Sequence, residues 1–257
     1  MLLAVDVGNT NIVLGLFEDR DGQARLVRDW RMRSDALMTA DELALALRGM
    51  LGPLADGVTG VAALSTVPAV LRSMRTMLAH YWSDLPSVIV EPGVRTGVAL
   101  LVDNPKEVGA DRVVNTLAAH HLYGTACVIV DFGTSTNIDV VSPRGEFLGG
   151  AFAPGIGISV DALAARAAQL VKVELIRPRS VIGKNTVECL QSGMYFGFAG
   201  QVDRIVERMT EELGSVRAVI ATGGLASLVT NECRTITHHE PMITLIGLRM
   251  VYERNVG

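Results

Sequence analysis

The residues best suited to chemistry come in two similar turns. Val-Asp-Val-Gly-Asn-Thr occupies residues 5–10, and Val-Asp-Phe-Gly-Thr-Ser occupies residues 130–135. Each closes an apolar run that reads as a strand. A glycine at a strand end lets the backbone approach a phosphate, and Asn or Thr beside it adds hydrogen-bond donors. An Asp at the same place can hold a metal ion or its water shell. Two such turns facing each other would clasp a nucleoside triphosphate. Either turn alone reads more simply as a hairpin connection, where Asp, Gly and Asn are common.

A third segment, Asn-Pro-Lys-Glu-Val-Gly-Ala-Asp-Arg at 104–112, carries different chemistry. Pro105 sits near a helix start, and Gly109 and Ala110 leave open space beside Asp111. Asp111 can deprotonate a hydroxyl while Arg112 binds a carboxylate. By spacing alone the pair reads first as a helix-surface ion pair, which contributes little.

Other segments carry less. Gly183-Lys184-Asn185-Thr186 is not a P-loop: the glycine required five residues earlier is Pro178, and Asn185 separates Lys184 from Thr186. Asn185 or Thr186 serves as a helix cap on the simpler reading. Gly155-Ile-Gly lacks the third glycine of a dinucleotide fingerprint. Thr222-Gly-Gly is a strand-to-helix turn that also lets an adenosine ring approach the backbone. His120-His121 and His238-His239 are adjacent pairs whose side chains point apart, so structural roles are expected for them. No Gly-x-Ser-x-Gly is present.

These segments need a scaffold, and alternating strand and helix patterns provide an α/β one. Residues 2–7 and 12–17 form a hairpin around the first turn, and 25–33 adds a strand. Thr39 and Glu42 form a capping box for a helix near Asp41, with Leu43, Leu47 and Met50 at helical spacing. A strand over 58–64 precedes a helix after Pro68, with Val70, Met74, Met77 and Tyr81 on one face. Residues 87–90 form a short strand. The second half repeats this plan, with strands over 126–130, 138–141 and 146–152. A helix then runs from Gly155 through about Leu170. A long helix starts at Asn185 or Thr186, with Leu190, Met194, Phe198, Val202, Ile205, Met209 and Leu213 as its apolar face. A strand over 217–221 and a helix over 242–252 follow. The recurrence predicts two lobes of one design, residues 1–117 and 118–257.

Composition narrows the class. The chain has 257 residues, 49% apolar and 19% charged, which excludes disorder. A net charge of −4 argues against a general nucleic-acid binder. Asp6 interrupts the first apolar run, so neither a membrane span nor a cleaved leader is expected. Cys127, Cys189 and Cys233 read as reduced core thiols of a cytoplasmic protein.

Taken in order, six segments make the chain resemble the type III pantothenate kinases. They are Asp-Val-Gly-Asn-Thr-Asn (6–11), the 104–112 segment, Asp-Phe-Gly-Thr (131–134), Gly-Gly-Ala-Phe-Ala-Pro-Gly (149–155), Gly-Lys-Asn-Thr (183–186) and Ala-Thr-Gly-Gly (221–224). The resemblance implies an actin-like, sugar-kinase-like fold of two ribonuclease-H-like lobes around a nucleotide cleft. It implies transfer of the γ-phosphoryl group of ATP, with Mg²⁺, to the primary hydroxyl of pantothenate, the first step toward coenzyme A. By position, Asp6, Val7, Gly8, Asn9, Thr10, Asn11, Ile12 and Val13 form the first phosphate-binding segment, and Thr134 contacts ATP. Gly109, Ala110, Asp111 and Arg112 contact pantothenate, with Asp111 as proton acceptor. Asp131 binds a monovalent cation, potassium or ammonium, and Thr186 contacts pantothenate. The resemblance also implies a cytoplasmic homodimer whose pantothenate pocket lies at the subunit interface.

Three positions depart from the family pattern. Ser135 and Asn137 stand where Ala and Thr are common, and Val102 stands where many members carry Tyr. Two rival readings follow. One is a catalytically weak paralogue that binds ATP or pantothenate as a sensor, and the other is a kinase for a different small hydroxy acid.

Overall fold

The computed structural model describes residues 1–166 and 173–256. The first turn is flanked by β1 (Leu2–Val7) and β2 (Asn11–Arg20), and β3 (Gln23–Arg33) extends the meander. All three pair antiparallel, and β1 also pairs in parallel with β4 (Gly60–Ser65), which pairs with β5 (Ser87–Ile89). The sheet order is therefore β3-β2-β1-β4-β5. Leu3, Val5, Val7, Ile12, Leu14 and Leu16 alternate onto one face and are buried. Against them pack α1 (Ala40–Leu51), through Leu43 and Leu47, and α2 (Pro68–Tyr81), through Val70, Met74 and Met77. Thr39 and Glu42 form the expected capping box of α1. Tyr81 departs from the expected buried face: it is partly exposed and its hydroxyl donates to Asp41 at 2.7 Å.

The second sheet repeats the plan. β6 (Cys127–Phe132), β7 (Ser135–Val141) and β8 (Phe147–Pro154) form an antiparallel meander around the second turn. β6 also pairs in parallel with β9 (Ala218–Thr222), which pairs with β10 (His238–His239). The order β10-β9-β6-β7-β8 mirrors that of the first sheet, with each glycine turn after the central strand. This is the α/β fold the resemblance implies, built twice. Val128, Val130, Phe132 and Ile138 form its core with α4 (Ile156–Arg166), α5 (Thr186–Leu213) and the short α6 (Ala226–Val229). The expected continuation of α4 to Leu170 falls at 167–170, outside the described residues.

The buried face of α5 is rotated from the expected one. Gln191, Ser192, Tyr195, Ala199, Val202, Asp203 and Val206 are buried, whereas of the predicted face only Val202 is fully so. The buried polar side chains have partners. The Gln191 amide donates to the Glu174 carbonyl at 2.9 Å, and the Ser192 hydroxyl donates to the Val181 carbonyl at 2.5 Å. Asp203 accepts from the backbone N–H groups of Arg234 and Thr235 at 3.0 and 2.9 Å, and from the Thr235 hydroxyl at 2.8 Å. With these groups satisfied, burial costs little.

The chain forms two compact units. The first comprises Met1–Val98, Asn104–Ala118 and Ile243–Gly257, and the second Ala99–Asp103 and Ala119–Met242. The sequence reading has a single division, at 117/118, whereas each unit is assembled from separate stretches. The helix α3 (Ala110–Tyr123) starts in the first unit, and α7 (Ile243–Val256) returns to it. α7 packs on β1, β4 and β5, the sheet face opposite α1 and α2. No described helix is long and apolar enough to cross a membrane.

Candidate functional site

In the first unit, Asp6 is the second-last residue of β1 and pairs in register with Val13 of β2 and Leu64 of β4. The turn between the strands is drawn tight by Gly8 N–H donating to the Asn11 carbonyl at 2.9 Å. Ser34 N–H, just past β3, donates to the Thr10 carbonyl at 2.9 Å. Asn9 and Thr10 are exposed, Val7 and Ile12 are buried, and Asp6, Gly8, Asn11 and Val13 are half-buried. Core side chains on one side therefore fix a turn whose tip remains accessible.

Asp111 and Arg112 lie in the first turn of α3. A single 3₁₀ turn, Pro105–Glu107, leads in, with Asn104 accepting from Lys106 N–H at 3.3 Å. One Asp111 carboxyl oxygen, Oδ1, accepts from Arg112 N–H at 2.9 Å. A Cβ on Gly109 would overlap that oxygen, so glycine is what allows the carboxyl its position. Burial pushes the Asp111 carboxyl above the ordinary aspartate range, while the Arg112 N–H and guanidinium pull it back. The result is a carboxyl with raised proton affinity beside a permanent cation. Behind it, α3 is anchored to α7: the Thr244 hydroxyl donates to Asn115 at 2.8 Å, and Gly247 lies against the Val114 carbonyl.

In the second unit, Asp131 is the second-last residue of β6, opposite Asn137 of β7 and Thr222 of β9. Gly133 N–H donates to the Ser135 carbonyl at 3.0 Å, and Gly155 N–H to the Thr134 carbonyl at 3.1 Å. Gly223, at φ +91°, packs so closely that a Cβ would overlap Asp131 Oδ1 and the Phe132 backbone. Gly155 presses in the same way on the carbonyls of Gly133 and Thr134. The sequence suggests an adenosine approach at the Gly223 turn but not the close packing of either glycine on these strand-end turns. An aspartate carboxylate at such a place offers oxygen donors to a hard cation. Among the described residues, no group of three or more His, Cys, Asp or Glu gathers to hold a metal ion.

The departures from the family pattern interlock. The Ser135 hydroxyl donates to Asn137 Oδ1 at 2.7 Å, so the two altered residues satisfy each other. Val102 lies beside Gly149. Asn185 caps α5 by accepting from Glu188 N–H at 2.9 Å, and Lys184 N–H donates to the Glu188 carboxylate at 2.8 Å. That leaves Thr186, first in the helix and exposed, with its side chain outside the capping arrangement.

One histidine of each pair has a polar partner. His120 Nε2 lies 3.1 Å from the Pro143 carbonyl, and His238 Nδ1 lies 2.7 Å from the Thr237 hydroxyl. Cys127 and Cys233 are buried, which pushes each thiol up to about 12. Cys189 is exposed on the first turn of α5, so it is not the core thiol expected of it.

The chain is similar to known proteins over its whole length. Residues 2–208 match the family model for type III pantothenate kinase. A type III pantothenate kinase of Salinispora arenicola is 74% identical over 256 residues, covering 100% of both chains. Another, of Saccharopolyspora erythraea, is 69% identical over 264 residues, covering 100% of both. Among solved structures, a Baf family protein of Campylobacter jejuni superposes with a TM-score of 0.62 at 15% identity, covering 98% of both chains. An inorganic polyphosphate/ATP-glucomannokinase of an Arthrobacter species gives 0.51 at 11% identity, also covering 98% of both. At such identities these two speak to the fold alone.

Proposed function

Because the chain belongs to the type III pantothenate kinase family, we propose that it transfers the γ-phosphoryl group of ATP to the primary hydroxyl of pantothenate, yielding 4′-phosphopantothenate and ADP. The observation that carries the reading is the Asp111 carboxyl, kept in place by Gly109 and Arg112 at the start of α3.

Asp111 accepts the proton of the pantothenate hydroxyl as its oxygen bonds to the γ-phosphorus. The bond from that phosphorus to the β,γ-bridging oxygen breaks, and ADP leaves. Such transfers need positioning and charge neutralisation more than a strong base, so a modestly raised carboxyl suffices. Arg112 engages the pantothenate carboxylate, a geometry suited to a planar guanidinium. Gly109, Ala110 and Thr186 complete the pantothenate contacts.

The segment from Asp6 to Val13 and the Thr134 turn contact the ATP phosphates through N–H and side-chain donors. Mg²⁺ enters with ATP, offsetting phosphate charge. The Asp131 carboxylate, beside Gly223, suits potassium or ammonium, which would supply further positive charge near the phosphates.

A cytoplasmic homodimer completes the proposal. Phe152, Ile158, Leu163, Val181, Ile182 and Val187 are exposed apolar residues of the second unit. In the homodimer reading a second copy covers part of this apolar surface, where Val181, Ile182 and Val187 flank Thr186 in sequence.

The test is ADP release by purified protein with ATP, Mg²⁺ and pantothenate, with and without potassium. Pantothenate-dependent, potassium-stimulated release is expected. Binding of ATP or pantothenate without turnover would favour the weak paralogue instead. Release with another hydroxy acid but not pantothenate would favour a different acceptor.

A further inference from the structure

The segment proposed to bind ATP phosphates, residues 6–13, contains no Lys or Arg, and it begins with an Asp. A triphosphate carries several negative charges, and beyond N–H donors and bound cations this turn offers it no cationic side chain of its own. The register of the first sheet provides two. Asp6 of β1 pairs with Val13 of β2, and Val13 pairs with Arg31 of β3. One step nearer the turn, Asn11 pairs with Arg33. Directly opposed residues in antiparallel strands share a face. Asp6, Asn11, Val13, Arg31 and Arg33 therefore lie on the face opposite Ile12 and Leu14, which are buried in the core.

That face is open at this end. α7 covers β1, β4 and β5 and approaches β2 at Gly15 through Leu245. Arg31 and Arg33 are both exposed, and neither has an ion-pair or hydrogen-bond partner among the described residues. Other arginines of the same unit do have partners: Arg28 lies over the Trp30 ring at 5.2 Å, and Arg75 pairs with Glu91. The backbone fixes where the two unpaired cations stand. Arg33 stands opposite Asn11 in the β2–β3 register, and the next residue, Ser34, donates to the Thr10 carbonyl of the turn itself. Adjacent strands are about 4.8 Å apart, well within the reach of an arginine side chain.

We propose that Arg31 and Arg33 are phosphate-binding residues that supply from β3 the positive charge the first turn lacks. The proposal rests on the reading of that turn as an ATP site and adds the residues that discriminate by phosphate charge. The two guanidiniums engage the distal phosphates, so they favour ATP over ADP and contribute little to binding of pantothenate.

The test uses the full chain with Mg²⁺ and three probes, ATP, ADP and AMP. Binding constants are measured for the unchanged protein, for the double variant Arg31→Gln/Arg33→Gln, and for Arg28→Gln as a control on the other face. Hydrogen exchange at Gly8, Asn9, Thr10 and Asn11 reports whether ATP occupies the turn. The expected result is ATP protection of those amides and a loss of ATP affinity of roughly 10-fold or more in the double variant, since hydrogen bonds to charged groups are the stronger class. ADP should lose less and AMP almost nothing, with the pantothenate KM and the melting temperature unchanged. Arg28→Gln should match the unchanged protein. Protection at the turn with ATP affinity within twofold in the double variant overturns the arginine assignment alone. No protection at the turn overturns the ATP-site reading, and the arginine assignment with it.

Discussion

Gly109→Ala isolates the contribution of a single hydrogen atom. The added methyl would overlap Asp111 Oδ1, the same atom that accepts from Arg112 N–H. Gly109 does not need a left-handed backbone, so the helix start tolerates alanine. Loss of glycine at a cap position and gain from a stiffer unfolded chain each amount to less than about 1 kcal/mol and oppose each other. Stability should therefore hardly change. The carboxyl must retreat by about 1 Å to regain ordinary contact, and a displacement of that size at a reacting group costs on the order of 100-fold in rate. That corresponds to about 2.7 kcal/mol of transition-state stabilisation. The retreat also removes the Arg112 N–H bond, one of the influences holding the raised Asp111 carboxyl down. A base is active only when deprotonated, so activity falls as pH drops through its titration. In Gly109→Ala that acid limb should lie at higher pH than in the unchanged protein. Coupled ADP-release kinetics across pH, with a thermal melt as control, measure both effects. A variant with undiminished kcat and an unmoved acid limb would refute the claim that Gly109 exists to seat this carboxyl.

Three further outcomes follow from packing and polar contacts. Gly223→Ala combines a left-handed backbone with overlap onto Asp131 and Phe132, so it should lose about 1–3 kcal/mol of stability and blunt potassium stimulation; denaturant titration and potassium titration check this, and an unchanged potassium response would remove the cation role from this cradle. Asp203→Ala strands the donors of Arg234 and Thr235 and should cost about 2–4 kcal/mol in a denaturant melt. Burial works to raise the Asp203 carboxyl, but the hydrogen bonds from Arg234 and Thr235 outweigh it and hold it below its ordinary value. Its contribution is thus complete above the ordinary aspartate range and disappears as pH falls through the lowered value. The stability gap between parent and Asp203→Ala should narrow over that acid window, and a constant gap would contradict the assignment. Ser135→Ala and Asn137→Thr should each destabilise by about 0.5–1.5 kcal/mol, while the double variant should recover much of the loss; simple additivity in the cycle would show that the two departures are independent.

The duplicated plan was legible because each half opens with a strand, a glycine turn and a second strand, and local pattern determines such hairpins. The α1 capping box was legible for the same reason, since Thr39 and Glu42 are three residues apart. The α5 face was not. Counting apolar residues at helical spacing assigns Gln191, Ser192 and Asp203 to solvent, yet each is buried because distant backbone groups satisfy it. Of the site, the turn residues and the Asp111–Arg112 pair can be read from motif chemistry. The roles of Gly109 and Gly223 as seats for carboxyls cannot, because they depend on which atom occupies the space where a Cβ would stand. Arg31 and Arg33 stayed invisible for a related reason. Their link to the phosphate turn is a strand register, and register is set by the folded sheet.

The return of α7 to the first sheet has a consequence for biosynthesis. β1, β4 and β5 are complete once residue 89 has been made, but the helix that covers their second face begins about 150 residues later. At ribosomal rates that interval lasts on the order of 8–30 s. Throughout it, the seats that Gly15, Gly60 and Gly97 keep for Leu245, Tyr252 and Arg254 stay empty. So does the contact between α7 and α3, the helix that bears Asp111. The nascent chain thus carries a half-covered sheet for most of its synthesis and an unbraced α3 for nearly half of it. Messages broken before codon 243 would yield a product with both sheets encoded and no stable first unit.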